Sequence, residues 1–403
     1  MTRESEEAVA ADRVRVLQVL QHAALGGGTL VAMTLAERLD PARYEVVIAT
    51  GSDAAPEGNL LEEMRSRGLQ VLALEHMGRA LSPLRDARAA WELAAVLASR
   101  RPEIVHTHGS KPKLLLPLAA QIGPAPLRIA HLHGWEWQPA RNALEAAAFT
   151  VETRLVAEAY HAMIATSHAT RRQGLDRGVG HAAQYEVVHP SIDPGEFSPP
   201  ERAAIRREVR EELGLAGDAF VVASVLRLAP QKAPEVLIRA AAAVAPARPR
   251  VRWLLVGGGP LEPQVRRLVD GLGLSERVRL LGPRRDVPRL LQACDAFALS
   301  SAWEPFGIAC LEAAAAGLPV VGTGVDGVPE AVADGVTGIL VPPGRADLLA
   351  GAVIRLASDP GLARAMGAAG VAHARAFGHE RLVRGVSAIY ERLLAEGRER
   401  AQR

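Results

Sequence analysis

Twice along its length the chain alternates short apolar runs with amphipathic stretches of helical period, and once, between the two series, the alternation stops. In the first series Val14–Leu20, Tyr44–Thr50, Val71–Leu74, Ile104–Thr107, Arg128–Leu132 and Ala162–Ala165 read as strands. In the second, Phe220–Leu226, Trp253–Val256, Val278–Leu281, Ala296–Leu299, Pro319–Val321 and Gly338–Val341 do the same. Runs this short and this rich in Val and Ile suit strands buried on both faces, and helices between strands impose parallel pairing. The break, His189-Pro190-Ser191-Ile192-Asp193-Pro194-Gly195 through Pro199-Pro200, has neither period and reads as a linker. The expected fold class is α/β: two doubly wound parallel-sheet domains, residues 13–193 and 194–378, with ligands at the carboxyl ends of the strands in the cleft between them. A final amphipathic helix, with Leu382, Val386, Ile389, Tyr390 and Leu393 on one face, occupies 379–403. The full 403 residues suit two domains of roughly 200 each.

Composition removes several function classes. Lys and Arg total 47 against 45 for Asp and Glu, a net charge of +2, so no global field draws the protein to nucleic acid, and anion affinity must be local. Two cysteines, Cys294 and Cys310, cannot build a disulfide framework or a multi-thiolate metal site, which points to a reducing cytoplasm. The start, Met1-Thr-Arg-Glu-Ser-Glu-Glu, is polar and acidic, unlike a signal peptide. No apolar run reaches the ~20 residues needed to span a bilayer. The expectation is a cytoplasmic protein, soluble or peripheral on the inner face of a membrane.

Five places carry chemistry beyond packing. In Ser301-Ala-Trp-Glu304-Pro-Phe306-Gly307-Ile308-Ala-Cys-Leu-Glu312 two carboxylates separated by seven residues flank a turn and the start of a helix. Amides at that start would hold a phosphate, whereas a plainer reading makes Glu304 a first-turn dipole partner and Glu312 a solvated helix residue. Arg227-Leu-Ala-Pro-Gln-Lys232 ends a strand with two cations spaced for a diphosphate. Gly257-Gly258-Gly259-Pro260 and Gly26-Gly27-Gly28 each follow a strand, as tight turns or as places of close ligand approach. His106-Thr-His108 and His131-Leu-His133-Gly134-Trp135 end adjacent strands. Each pair would share a face, but no acidic partners stand at metal spacing, so no metal is expected and a sugar-facing His133 is preferred. The fifth place, Ala316 to Glu330, reads as helix, strand and a Gly/Pro loop containing Asp326.

Taken together these segments resemble the retaining glycosyltransferases of the GT-B fold, family 4. Glu304 through Glu312 resembles the family's E-x7-E motif, Arg227-Leu-x-x-x-Lys232 its G-R-L-x-x-x-K-G element, and Val256-Gly-Gly-Gly-Pro260 its V-G-x-G-P turn. The run from Ala316 to Gly344 is similar to the family's A-x-G-x-P-V-V-x-T…G-x-P-E…D-G-x-x-G-x-L-V-P-P-G segment. Ile104-Val-His-Thr-His108 and His131-Leu-His-Gly134 resemble members acting in polysaccharide and glycolipid assembly. The likeness spans roughly residues 13–376 and is sharper in the second half. Four departures stand out: Ala233 and Asp326 occupy positions where the family has Gly, Ser224 or Val225 falls near its usual Gly before Arg227, and His189-Pro190-Ser191 stands where Pro-Asn-Gly or Tyr-Asn-Gly is usual.

The resemblance implies two Rossmann-like domains, acceptor-binding at 13–193 and nucleotide-sugar-binding at 194–378, with the last helix crossing back to the first. Arg227 and Lys232 would hold the diphosphate of a nucleotide-diphosphate-sugar donor, helped by amides around Phe306, Gly307 and Ile308. Glu312 would take the ribose hydroxyls, Glu304 the donor-sugar hydroxyls, and His133 would reach the sugar from the first domain. Gly27 would allow close backbone approach. No cofactor is implied, and transfer would be metal-independent. Glycoside hydrolysis by Glu304 and Glu312 does not fit, because hydrolases set their carboxylates across the scissile bond. A nucleotide-sugar epimerase, a glycosyl phosphorylase or a non-catalytic subunit on the same fold are the alternatives. On the acceptor side, for a sugar or lipid-linked acceptor, the candidates are His108, Lys111 and Trp135. Ser110-Lys111-Pro-Lys113 with Arg171-Arg172 reads either as a basic surface for an anionic lipid carrier or as a solvated helix face, and Trp135 and Trp137 either stack on a sugar or belong to the core.

Overall fold

The computed structural model describes residues 13–402 apart from 25, 54–58, 79, 81, 123–125 and 141, so the polar start Met1–Glu7 lies outside the described residues. The chain divides into two compact units, one made of residues 1–190 with 379–403 and the other of residues 191–378.

The first unit runs β1 (Val14–Leu20), α1 (Gly27–Arg38), β2 (Tyr44–Gly51), α2 (Leu61–Ser66), β3 (Gln70–Leu74), α3 (Pro83–Arg100), β4 (Ile104–His108), α4 (Ser110–Ala119), β5 (Leu127–Leu132), α5 (Ala143–Ala157), β6 (Ala162–Ala165), α6 (His168–Asp176) and β7 (Tyr185–Val187). Its seven strands lie in the order β3-β2-β1-β4-β5-β6-β7, all parallel. The second unit runs α7 (Arg202–Glu212), β8 (Phe220–Val225), α8 (Pro234–Ala247), β9 (Val251–Val256), α9 (Glu262–Gly271), β10 (Val278–Gly282), α10 (Val287–Gln292), β11 (Ala296–Leu299), α11 (Ile308–Ala315), β12 (Val320–Thr323), α12 (Val328–Ala331), β13 (Gly338–Val341), α13 (Ala346–Ser358) and α14 (Pro360–Ala374). Its sheet is also parallel, ordered β10-β9-β8-β11-β12-β13.

Period-two alternation sorts each strand's side chains between two cores, one on either face of its sheet. In the first unit Leu17, Val19, Val105 and Ala130 feed the core under α3 and α4, while Val14, Val16, Ile104 and Ile129 feed the opposite one. The last helix, α15 (His379–Gln402), completes that opposite core with Leu382, Val386, Ile389, Tyr390 and Leu393, and it packs against α1. Arg43 and Tyr44 fasten it further by hydrogen bonds of 2.8 and 2.6 Å to Glu391. In the second unit Val221 and Ala223 face one core and Val222 the other. Both sheets reverse direction of strand order once, between β1 and β4 and between β8 and β11, and such switch points are where doubly wound sheets open a crevice for ligands. Among the described residues no helix is long and apolar enough to cross a membrane.

Candidate functional site

In the second unit the residues singled out from the sequence gather at the β8/β11 switch point. Beyond β8 the chain passes Arg227, which is exposed, and turns through a short 3-10 segment, Pro230–Lys232, before α8. Lys232 is drawn onto the carboxylate of Glu304, which follows β11, and the two form an ion pair. Glu304 is buried, and its Oε2 also accepts a 3.0 Å hydrogen bond from Ser301 Oγ. The surrounding loops are tied to one another: Ser300 Oγ donates to the Lys232 carbonyl at 2.8 Å, Thr323 Oγ1 to the Ser301 carbonyl at 2.7 Å, and the Ala302 amide to the Gln231 carbonyl at 2.8 Å. Lys232 and Glu304 thus sit on loops that hold each other in place.

Asp326 has a defined part in this arrangement. Its Oδ2 accepts the Glu304 backbone N–H at 2.8 Å, and the Gly327 amide donates to the Glu304 carbonyl at 3.1 Å. Both non-glycine departures noted above, Ala233 and Asp326, have φ of +42°, in the left-handed region that costs an L-residue roughly 1–2 kcal/mol. The backbone shape there is the one glycine favours, and Asp326 returns something for its strain by capping Glu304.

Phe306 is buried in the core, Gly307 adopts φ +94° as the residue before α11, and Ile308 is the first residue of that helix. No side chain caps α11, so its leading amides form the partial positive charge that suits an anion. Glu312 is half-buried within the helix rather than solvated. Burial, together with the charge of Glu196, pushes its pKa up to about 7.

The first unit places a different kind of centre at its own switch point. His106 and His108 continue the face of β4 that carries Ile104, and His131 and His133 continue the face of β5 that carries Ile129. Parallel register sets His108 beside His131, and the four rings stack: His131 on His133 at 4.4 Å and 10°, His106 on His131 at 5.3 Å and 7°. Burial, reinforced by neighbouring imidazoles, lowers the pKa of His106, His108 and His131 far below the usual value, and burial brings that of His133 down to about 4. All four rings are therefore neutral at pH 7.

Gln18, which the sequence did not single out, begins a hydrogen-bonded line on this face. Its Oε1 lies 2.5 Å from His108 Nε2, and His108 Nδ1 lies 3.0 Å from His133 Nε2. With the Gln18 oxygen as acceptor, His108 carries its proton on Nε2 and accepts at Nδ1, so His133 donates from Nε2 and keeps a lone pair at Nδ1. His108 thus orients His133. His106 Nδ1 meets Tyr390 Oη at 2.8 Å, which ties the stack to α15. His106, His108 and His131 each offer a ring nitrogen within 4.8 Å of the others, and His106 Nε2 and both nitrogens of His131 have no hydrogen-bond partner. Neutral imidazoles are suitable metal ligands, yet lone pairs lie in the ring planes, and stacked planes direct them side by side rather than toward one point.

Other first-unit candidates fall into place around this centre. Gly27 is the first residue of α1, and a Cβ on its neighbour Gly28 would meet the His133 ring at 3.0 Å, so the glycine loop lies against the stack. Lys111 and Lys113 correct the expectation of a basic surface or a solvated face. Both are buried, Lys111 bonded to Asp86 at 2.7 Å and to the Ala80 carbonyl, Lys113 paired with Glu136 at 2.6 Å. Neutralised charges beneath the surface cannot recruit an anionic lipid. Trp135 and Trp137 are core: their rings stack at 4.4 Å, the Trp135 Nε1–H donates to the Thr170 carbonyl, and the Arg177 guanidinium covers Trp137 at 4.8 Å. Neither ring keeps a face free for a sugar.

Known proteins match both units. Residues 205–373 match the family described as glycosyl transferases group 1, and residues 25–196 match glycosyltransferase family 4. A D-inositol 3-phosphate glycosyltransferase of Actinosynnema mirum is 40% identical over 250 residues, 59% of this chain and 59% of that one. Its namesake in Mycobacterium tuberculosis strain F11 is 36% identical over 264 residues, 63% of this chain and 53% of the relative. The chain therefore spans little more than half the length of these relatives. Among solved structures, Anabaena HepE in complex with UDP-glucose superposes with a TM-score of 0.79 at 24% identity, covering 94% of this chain and 100% of the other. Sucrose-phosphate synthase of Thermosynechococcus elongatus gives 0.82 at 23% identity, covering 95% and 100%. These structures share the two-sheet architecture. With one half matched by each family description and the fold shared throughout, the chain belongs to the family 4, group 1 glycosyltransferases and has their GT-B fold.

Proposed function

We propose that the protein transfers a sugar, with retention of anomeric configuration, from a nucleotide-diphosphate-sugar to an acceptor hydroxyl, in polysaccharide or glycolipid assembly. The observation that carries this reading is the Lys232–Glu304 pair at the end of a strand beside an uncapped helix start. In the reaction the bond between the anomeric carbon and the diphosphate oxygen breaks, and the acceptor oxygen forms its bond on the same face of the sugar. The acceptor's proton passes to a phosphate oxygen of the leaving nucleoside diphosphate. Arg227, Lys232 and the amides of Phe306, Gly307 and Ile308 stabilise the charge that develops on that leaving group. Lys232 exchanges its bond to Glu304 for the diphosphate, which releases the Glu304 carboxylate to accept hydroxyls of the transferred sugar. Glu312 takes the ribose, Gly27 admits close backbone approach, and His133, held by His108, accepts a sugar hydroxyl at Nδ1. The reaction as written needs no metal and no cofactor.

Uridine donors are the first to test, because the HepE neighbour was crystallised with UDP-glucose, and inositol 3-phosphate is the first acceptor, because the curated relatives carry it in their name. The test is a screen of uridine, guanosine and adenosine diphosphate sugars for nucleotide release, with and without acceptors, with product anomeric configuration read by NMR. Lys232→Ala should lower turnover of the active pair about 10²–10³-fold, the loss seen when one charge-stabilising donor is removed. Release that needs no acceptor, or turnover indifferent to Lys232, would discard the proposal.

A further inference from the structure

His133 lies one residue beyond β5 and is followed by Gly134 at φ +137°, so its own backbone does little to hold the ring. Of the four stacked rings it alone is part-exposed, and its Nδ1 has no partner among the described residues. An imidazole that accepts a hydroxyl through one chosen nitrogen needs two things settled: where its proton sits and how its plane is turned. Each is settled from a different buried residue.

The proton is settled from β1. Two neutral imidazoles can hydrogen-bond in either direction, so His108 and His133, 3.0 Å apart, do not by themselves decide which nitrogen of His133 keeps its lone pair. Gln18 decides it, because its Oε1 accepts from His108 Nε2 at 2.5 Å and the protons beyond then follow. The position is a costly one for an amide. Gln18 is fully buried between Leu17 and Val19, and its Nε2 has no hydrogen-bond partner, a penalty that an aliphatic residue there would avoid. A buried polar group kept at such a cost points to chemistry rather than packing.

The plane is settled from α15. His133 stacks on His131 and His131 on His106, at interplanar angles of 10° and 7°, and His106 Nδ1 meets Tyr390 Oη at 2.8 Å. Tyr390 is itself fully buried and packs edge-on against Tyr44 at 5.9 Å. Gly28 closes a third side, since a Cβ there would press on the His133 ring at 3.0 Å. We propose that Gln18 and Tyr390 are positioning residues for sugar transfer, Gln18 setting the His133 proton through His108 and Tyr390 setting the ring plane through His106 and His131. Both lie too deep to touch the sugar themselves. Their role rests on the reading above, in which His133 accepts a sugar hydroxyl at Nδ1.

Nitrogen-15 NMR of the unliganded chain reads the imidazole protons without any turnover, with His133→Gln assigning the resonance. His133 should be protonated at Nε2 in the wild type and divide between both tautomers in Gln18→Leu. Gln18→Asn, one carbon too short to reach His108, should do the same if the leucine variant fails to fold. Tyr390→Phe should leave the proton on Nε2. With the donor and acceptor found by the screen above, Gln18→Leu should lower kcat/KM about tenfold, the weight of one hydrogen bond, and Tyr390→Phe should lower it less. Binding of that donor's free nucleoside diphosphate should stay as in the wild type. Monodeoxy donor sugars locate the contact: the one lacking the hydroxyl that His133 accepts should turn over slowly with the wild type and be indifferent to Gln18→Leu. A His133 proton unmoved in both Gln18 variants overturns the proposal, as does an equal loss on every deoxy sugar. A wild type that transfers no sugar, with a His133 proton that still answers to Gln18, would discard the reading of function and the positioning role with it, while the wiring stands.

Discussion

The two units share one topology of strand and helix and place opposite kinds of chemistry at the same topological point. At the β1/β4 switch the first unit stacks four neutral imidazoles, while at the β8/β11 switch the second unit sets an ammonium on a carboxylate. The difference follows from what surrounds each group. The histidines extend apolar positions of their strands, and burial keeps them uncharged. Lys232 and Glu304 stand on loops beyond their strands, where each neutralises the other and neighbouring loops supply hydrogen bonds. A sheet therefore fixes where a ligand site opens, and the residues past the strand ends decide whether it is a neutral or a charged one.

Lowering the pH should separate the two centres most sharply. A histidine whose folded pKa is depressed binds its proton more readily in the unfolded chain, so the stability it contributes is present above pH 6.5 and lost as pH falls. For His133, from 6.5 to about 4, the loss is on the order of 3 kcal/mol. His106, His108 and His131 add losses of the same sign. Glu312 works the other way: its folded pKa of about 7 lies above the ordinary 4.5, so its contribution is present below pH 4.5 and lost as pH rises through 7. Hydrogen exchange between pH 7 and 4 should show β4 and β5 losing protection while α11 does not. Equal loss in both units would mean that the stack carries no such weight.

A smaller effect tests the cap on Glu304. Asp326→Ala keeps the left-handed strain and removes the acceptor of a part-buried N–H, which should cost about 1–3 kcal/mol in urea unfolding. Asp326→Asn keeps an acceptor and tolerates the backbone shape, so it should lie close to wild type. Parity between the two variants would deny the cap any role. Smallest of all, Ala233→Gly relieves a positive φ where the family has glycine and should stabilise the second unit by about 1 kcal/mol. A destabilised Ala233→Gly would show that the strain at that turn is not real.

Much of this is legible in the sequence. Strands Val14–Leu20, Ala162–Ala165, Ala296–Leu299 and Gly338–Val341 lie where apolar runs place them, because a strand buried on both faces leaves an unmistakable run. β7 is not legible there: three residues, Tyr185–Val187, are too few to display a period, and pairing with β6 creates the strand. Lys232 and Glu304 were visible as motif residues. Their contact was not, since 72 residues separate them and only the adjacency of β8 and β11 brings their loops together. The burial of Lys111 and Lys113 is hidden from the sequence for the same reason, for Asp86 and Glu136 are partners supplied by folding. Gln18 lies in an apolar strand, where nothing local distinguishes a buried glutamine that serves a histidine on the neighbouring strand, two residues further along the register.

By itself, then, the sequence determined the two sheets, the break between them, the family and the residue types able to meet a nucleotide-sugar, because strand and helix periods and turn chemistry are local properties of the chain. Only the tertiary structure decided which charges are spent on each other, which tryptophans are core and how four histidines share one stack. Those outcomes depend on strand order and on side chains far apart in the chain, and burial then sets their charge state through desolvation.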